Sequence, residues 1–158
     1  MIKDIKTKIN RLEFEKRPFI NGEYVESISK ERINKISPAD GSDISGLRSC
    51  NLEDIDKAVQ AANQSFKSRI WCDRDPKDKK AILSRLADLM EENIEELALL
   101  DTLETGRCIK NYYNDSIPKA IAAIRWFSEA VDKYYGKALQ MRKNTFAMIT
   151  NEPIGVVG

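Results

Sequence analysis

Few side chains in this sequence have a type and spacing suited to chemistry. Cys50, Cys72 and Cys108 are widely separated, form no CxxC pair, and stand in a chain without histidine. Cys/His zinc sites and Ser-His or Cys-His nucleophilic mechanisms are therefore excluded. Cysteines placed this way read as small, reduced, semi-buried side chains, because free cysteine behaves mostly as a small hydrophobe. Paired carboxylates occur at Glu91-Glu92 and Glu95-Glu96, where helical spacing puts them on an outer face, and they read as solvated. Gly155 and Gly158 form GxxG rather than GxGxxG, and no helix follows to aim its N-terminus at a phosphate. Close packing at a strand end explains them better. No complete catalytic constellation is present.

The elements that would position these groups are read from periodicity. A chain of 158 residues with 42% hydrophobic and 32% charged side chains can build one globular domain. Its net charge of +1 comes from interleaved signs, without the basic stripe a nucleic-acid partner would require. No apolar run reaches a membrane span, and MIKDIKTKIN is too charged for a signal peptide, so no membrane partner and a cytoplasmic location are expected.

Residues 2–16 carry Ile2, Ile5, Ile9 and Leu12 at helical spacing, and Arg17-Pro18 closes that helix. Residues 19–25 make a hairpin about Asn21-Gly22. Residues 32–36 and 44–48 make a second antiparallel pair around the turn Ser37-Pro38-Ala39-Asp40-Gly41. Asn51 caps a helix whose Leu52, Ile55, Val59, Ala62 and Phe66 predict a buried stripe, and Trp71 should plug a core edge. Asp75-Pro76 opens a helix with Ile82, Leu86, Leu89, Met90, Leu97 and Leu100 on one face, a break at Asn93 and a stop at Gly106. The run Lys77-Asp78-Lys79-Lys80 reads as a solvated face. A long helix then starts at Asp115 or Ser116 and runs to Gly136, with Ile117, Ile121, Ile124 and Tyr134 on its inner face and Trp126 and Phe127 as core aromatics.

Residues 137–142 and 145–150 form a ribbon about Lys143-Asn144. Two strands alone are marginal, so the ribbon should lie on another chain. Residues 154–158 read as one more apolar strand, of the type buried on both faces of a parallel sheet. The fold class is α+β: a helical body, a small N-terminal sheet and a C-terminal β-ribbon.

Several of these stretches share a family likeness. Glu152-Pro153-Ile154-Gly155-Val156-Val157-Gly158 resembles the EP-[IV]-GVVG segment of the NAD(P)-dependent aldehyde dehydrogenase superfamily. Phe19 to Tyr24, the turn Ile36-Ser37-Pro38-Ala39-Asp40-Gly41, the helix Asp54 to Ala62 and Leu103-Glu104-Thr105-Gly106-Arg107 are similar to other family elements. Ile117-Pro118 and Ala123 to Lys133 look most similar to the γ-glutamyl-γ-aminobutyraldehyde and betaine aldehyde branch.

The resemblance covers the whole chain but only the N-terminal portion of the family's α/β fold, with the Rossmann core missing. It implies three parts: 1–136 as the helical and small-sheet part of the cofactor domain, 137–153 as the oligomerisation ribbon, and 154–158 as the start of the first Rossmann strand. Family catalysis needs a thiolate nucleophile, a carboxylate base, an asparagine for the oxyanion and a nicotinamide, all matching positions beyond Gly158. No catalytic or cofactor-binding residue is therefore carried over. NAD or NADP would serve the parent enzyme, and none is expected for this chain alone. The likeness also implies a monovalent cation at the Ile36 carbonyl and the Glu104 carboxylate. The expected function is that of the N-terminal piece of an aldehyde dehydrogenase, with an aminoaldehyde as parent substrate, silent by itself. The alternative is a non-enzymatic assembly module, a homo-oligomer or domain-swapped dimer through 137–158.

Overall fold

A computed structural model of the chain describes residues 5–158. Helix α1 (Ile5–Ile9) is one short turn, where the sequence predicts a helix over 2–16. Residues 2–4 lie outside the described residues. Beyond Ile9 the chain leaves the helix in a turn that Arg11 and Leu12 close with N–H bonds to the Lys8 and Ile9 carbonyls.

The hairpin forms as predicted, β1 (Phe19–Ile20) pairing with β2 (Glu23–Tyr24). Asn21 and Gly22 take φ of 55° and 89°, the left-handed pair that a two-residue hairpin turn demands. Strands β3 (Arg32–Ile36) and β4 (Asp43–Arg48) pair antiparallel with a bulge at Lys35/Ile36.

Helix α2 (Leu52–Lys67) begins on a reciprocal cap. Asn51 Oδ1 accepts the Asp54 N–H at 3.0 Å, and Asp54 Oδ2 accepts the Asn51 N–H at 3.2 Å. Asp54 is only 2% exposed, and Ser27 Oγ lies 2.7 Å from both its Oδ2 and the Ser49 carbonyl. The Ser27 hydroxyl, followed by the Asn51 amide, outweighs desolvation and holds the Asp54 carboxyl below the usual carboxylate range. This one buried acid thus ties the segment before β3 to the start of α2.

The main body is made by α3 (Pro76–Glu92), α4 (Ile94–Thr105), the short α5 (Ile109–Asn111), a π-helical turn over Tyr112–Ser116, and α6 (Ile117–Ala130). Asp75 caps α3 by accepting the Lys77 N–H at 2.8 Å, with Pro76 in the first turn where its missing N–H costs nothing. Asn93 breaks the rod as predicted: its side-chain amide takes the Leu89 carbonyl at 2.8 Å, and α4 starts beyond it. Gly106 ends α4 at φ 73°, its N–H on the Thr102 carbonyl.

Core packing centres on Ala87, Ala98, Tyr112, Ile117 and Ile121, all buried, with Met90, Leu97 and Ile124 packed against them. Two alanines at 0% exposure let the helices approach closely. The closest seam, α3 on α6, contains a polar relay: Ser84 Oγ lies 2.9 Å from Ser128 Oγ, which donates to the Lys80 carbonyl at 3.2 Å. The π turn explains why the helical stretch starts earlier than Asp115. There the Ile117 N–H reaches the Tyr112 carbonyl, five residues back. The wider turn puts Tyr112 and Ile117 on one face, where an α-helical turn would splay them. Pro118, with no N–H to give, follows inside α6.

Several burial expectations are overturned. On α2, Leu52 is 79% exposed, and Ile55, Val59 and Phe66 are exposed as well. Trp71, Trp126 and Phe127 are exposed too, with Trp126 and Phe127 edge to face at 4.9 Å. The buried face of α6 runs through Ile117, Ile121, Ile124 and Ser128, so Trp126 and Phe127 fall off it and meet no second layer. Helix α6 stops at Ala130 and not at Gly136; Tyr134 and Tyr135 stand exposed, and nothing lies beneath to hold another turn. Glu91, Glu92 and Glu95 are not merely solvated but ion-paired with Arg125, Arg85 and Lys8. In the lysine run, Lys79 donates to the Cys72 carbonyl and Lys80 pairs with Glu129. Exposed pairs of this kind contribute about 0–1 kcal/mol each.

The ribbon forms where expected, β5 (Lys137–Arg142) against β6 (Thr145–Ile149), with Asn144 at φ 67° in its turn. Every residue of β5 is exposed. A Cβ on Gly136 would come within 2.4 Å of the Ile149 carbonyl oxygen, so the ribbon's base requires glycine.

The α2 cap generates two expectations. Asn51→Ala should cost about 1 kcal/mol in chemical denaturation. A carboxyl held low in the folded state stabilises above its unfolded pKa, about 3.9, and that stabilisation is lost as pH falls through the folded value. Asp54→Asn should therefore lower the thermal midpoint at pH 7 and flatten its fall below pH about 4. An acid limb as steep as the parent's would show that Asp54 carries none of it.

Candidate functional site

The residues singled out for cation binding lie where the β3–β4 turn meets the end of α4. The turn closes on itself through the Ser37 N–H to the Ser42 carbonyl at 2.8 Å and the Gly41 N–H to the Ser37 carbonyl at 2.9 Å. Asp40 accepts from Ser42 Oγ at 2.7 Å and from its N–H at 3.1 Å, and these bonds hold the Asp40 carboxyl below its ordinary range. Pro38 seats against Gly106: a Cβ there would lie 3.0 Å from Pro38 Cγ.

Ile36 ends β3 at the bulge, opposite Asp43, with its side chain half exposed. Glu104 sits in the last turn of α4, and the residue that meets it is Lys35, whose Nζ lies 3.3 Å from Glu104 Oε2. The structure brings Glu104 to the β3 strand, then, but puts an ammonium on its carboxylate. A monovalent cation there would compete with Lys35. Among the described residues no group of three or more acidic or cysteine side chains gathers to hold a metal.

The rest of the Leu103–Arg107 stretch packs. Thr105 Oγ donates to the Asp101 carbonyl at 2.7 Å and lies 2.8 Å from Tyr112 OH, while the Arg107 guanidinium stacks 5.3 Å from the Tyr112 ring. Tyr112 is thus a junction between α4 and the π turn that the sequence reading did not single out. Its only signal was an aromatic three residues after Ile109, in a stretch read as preceding a helix.

Cysteine expectations need a partial correction. Cys72 is half-buried, its Sγ directed at the Arg69 carbonyl at 3.6 Å, but Cys50 and Cys108 are exposed. Cys72 also adjoins the Asp73 carboxyl, which is held below its ordinary range by the Arg69 guanidinium first and by the Cys72 thiol as a lesser cause. At the C-terminal end, residues 154–158 form no strand, against expectation. A parallel strand exists only through its neighbours, and none is paired with it. Ile154 is 91% exposed and Gly155 takes φ 126° in open space. Among the described residues these glycines join no ladder.

Comparison with known proteins fits this geometry. The model of the aldehyde dehydrogenase family matches residues 24–158. The NADP/NAD-dependent aldehyde dehydrogenase PuuC of Escherichia coli K12 is 42% identical over 146 residues, which is 92% of this chain and 30% of that protein. The aminoacetaldehyde dehydrogenase of Pseudomonas aeruginosa is 34% identical over 147 residues, 93% of this chain and 30% of its own length. Among solved structures, a mutant of the P. syringae indole-3-acetaldehyde dehydrogenase AldA, in complex with NAD+ and IAA, superposes with a TM-score of 0.90 at 37% identity, over 96% of this chain and 31% of that one. The chain spans about 30% of the curated relatives it matches, has the mixed helix and small-sheet form of the N-terminal portion of their fold, and belongs to the aldehyde dehydrogenase family.

Proposed function

We propose that these residues are the scaffold portion of an NAD(P)-dependent aldehyde dehydrogenase acting on aminoaldehydes, contributing the frame and none of the reacting groups. The observation that carries this is a match over 92% of the chain that spans only 30% of the relative's length. The aminoaldehyde reading rests on the likeness carried by Ile117-Pro118 and Ala123 to Lys133 and on the substrate class in the P. aeruginosa relative's name. In this reading 1–136 belongs to the cofactor domain, 137–153 is the assembly ribbon and 154–158 leads into the first Rossmann strand. Purified as 158 residues, the chain should oxidise neither propanal nor an aminoaldehyde with NAD or NADP, read as absorbance at 340 nm. Turnover above the no-protein control would sink this assignment.

Within the same reading, Ile36 and Glu104 are the candidate cation pair, with Lys35 as its internal competitor. Lys35→Met should gain thermal stability in KCl over choline chloride, where the parent chain gains less. Equal responses of the two proteins would remove the pair from consideration.

A second reading, an assembly module, is favoured by the full exposure of β5 and the unpaired outer edges of its ribbon. It predicts a homodimer or larger species through 137–158, a domain-swapped dimer included. Light scattering across a concentration series checks it. A sharp monomer throughout would count against it.

A further inference from the structure

Strand β3 reads Arg-Ile-Asn-Lys-Ile and β4 reads Asp-Ile-Ser-Gly-Leu-Arg. Alternate residues of a strand share a face. One face of this pair therefore carries Lys35, which reaches Glu104 of α4. The other carries Arg32 and Asn34 from β3 with Gly46 and Arg48 from β4. There the register sets Arg32 directly opposite Arg48, and Asn34 opposite Gly46.

The hydrogen bonds around this pair bring the two arginines close. The Ser49 N–H goes across to the Glu31 carbonyl at 3.0 Å, whereas the Arg48 N–H turns outward to the Lys16 carbonyl at 3.0 Å. Arg32 and Arg48 are thus a non-hydrogen-bonded pair, the kind in which opposed side chains stand nearest. Like charges opposed in this way destabilise a sheet. The outward bond also lays a third cationic residue, Lys16, beside β4. Among the described residues neither guanidinium is ion-paired. Glu15, next to Lys16, is taken by Arg17. Glu31 adjoins Arg32 in sequence, and the alternation turns it to the opposite face.

The floor between the arginines is open. Gly46 has no side chain, and a Cβ there would lie 3.6 Å from Arg32 Cδ and 3.7 Å from Asn34 Oδ1. The Arg32 stem and the Asn34 carboxamide therefore both border this bare spot, and the carboxamide has two N–H donors to offer.

We propose that this face is a phosphate site, with a phosphoryl dianion seated over Gly46 between the Arg32 and Arg48 guanidiniums and Asn34 as a further donor. Guanidinium forks match the spacing of phosphate oxygens and bind them through paired, charge-assisted hydrogen bonds. A dianion offsets both opposed charges at once, which one carboxylate does not. The site recognises the phosphoryl group itself, as free phosphate or on a small monoester. It is independent of the scaffold reading, because every residue in it belongs to β3, β4 and the Lys16 contact.

Thermal midpoints measured in rising inorganic phosphate, against chloride at matched ionic strength, test the site. The parent's midpoint should climb with the logarithm of phosphate concentration and stay level in chloride. Arg32→Gln and Arg48→Gln should each weaken phosphate binding about tenfold or more, read from the Gly46 amide shift in an NMR titration. In chloride the double variant should be at least as stable as the parent, since the opposed charges are gone, and in phosphate the order should reverse. Equal responses of the parent to the two salts overturn the site. So does a double variant that keeps the parent's phosphate response, or one less stable than the parent in chloride, because the arginines would then not be in conflict. Phenyl phosphate separates the sources: a steeper climb than with inorganic phosphate assigns a monoester, and an equal or shallower one assigns the free ion.

Discussion

The helical body of this molecule depends on the close approach of α3 and α6. Ala87 of α3 and Ala98 of α4, with no side chain beyond Cβ, let the core helices approach closely, and a Ser84–Ser128–Lys80 relay satisfies the polar atoms caught between α3 and α6. The π turn over Tyr112–Ser116 completes this arrangement by rotating Tyr112 and Ile117 onto one face. At the rim, Arg125 spans Asp88 and Glu91 at 2.8 and 2.6 Å. These exposed pairs fix the register of two helices more than they stabilise them.

Outside that seam the chain is tied by local devices rather than by a core. The buried Asp54 links the N-terminal strands to α2, and the Gly106–Pro38 contact seats the β3–β4 turn on the end of α4. Neither buries much apolar surface. A structure held this way keeps its shape through caps, turns and a small helical core while leaving its larger apolar faces uncovered. The chain matches a relative over 92% of its own length and 30% of that protein's. Of the thiols, Cys72 is half-buried against the Arg69 carbonyl, and Cys50 and Cys108 are exposed.

What the sequence made legible follows from the range of each interaction. Asn51, Asn21-Gly22, Asp75-Pro76, Asn93 and Gly106 were all read correctly, because a cap or turn is decided by residues within four positions of it. The helical stripes were found too, but their burial was misjudged on α2 and for Trp126 and Phe127. Periodicity reports that a face prefers to be covered; it cannot report whether the cover is within reach. Tyr112 escaped notice for a related reason. Its role depends on a π turn, and nothing in an α-helical period signals the extra residue.

The cation pair shows the same limit at the scale of a single site. The family resemblance implied Ile36 and Glu104, and these residues lie on neighbouring elements, the end of β3 and the last turn of α4. The spacing did not foresee that Lys35, one residue away at a bulge, would reach the carboxylate first. A bulge changes which side chain of a strand faces its neighbour, and the register shift here falls at Lys35/Ile36, beside the Lys35–Glu104 pair. A motif specifies which elements meet; the bulge determines what they present to each other.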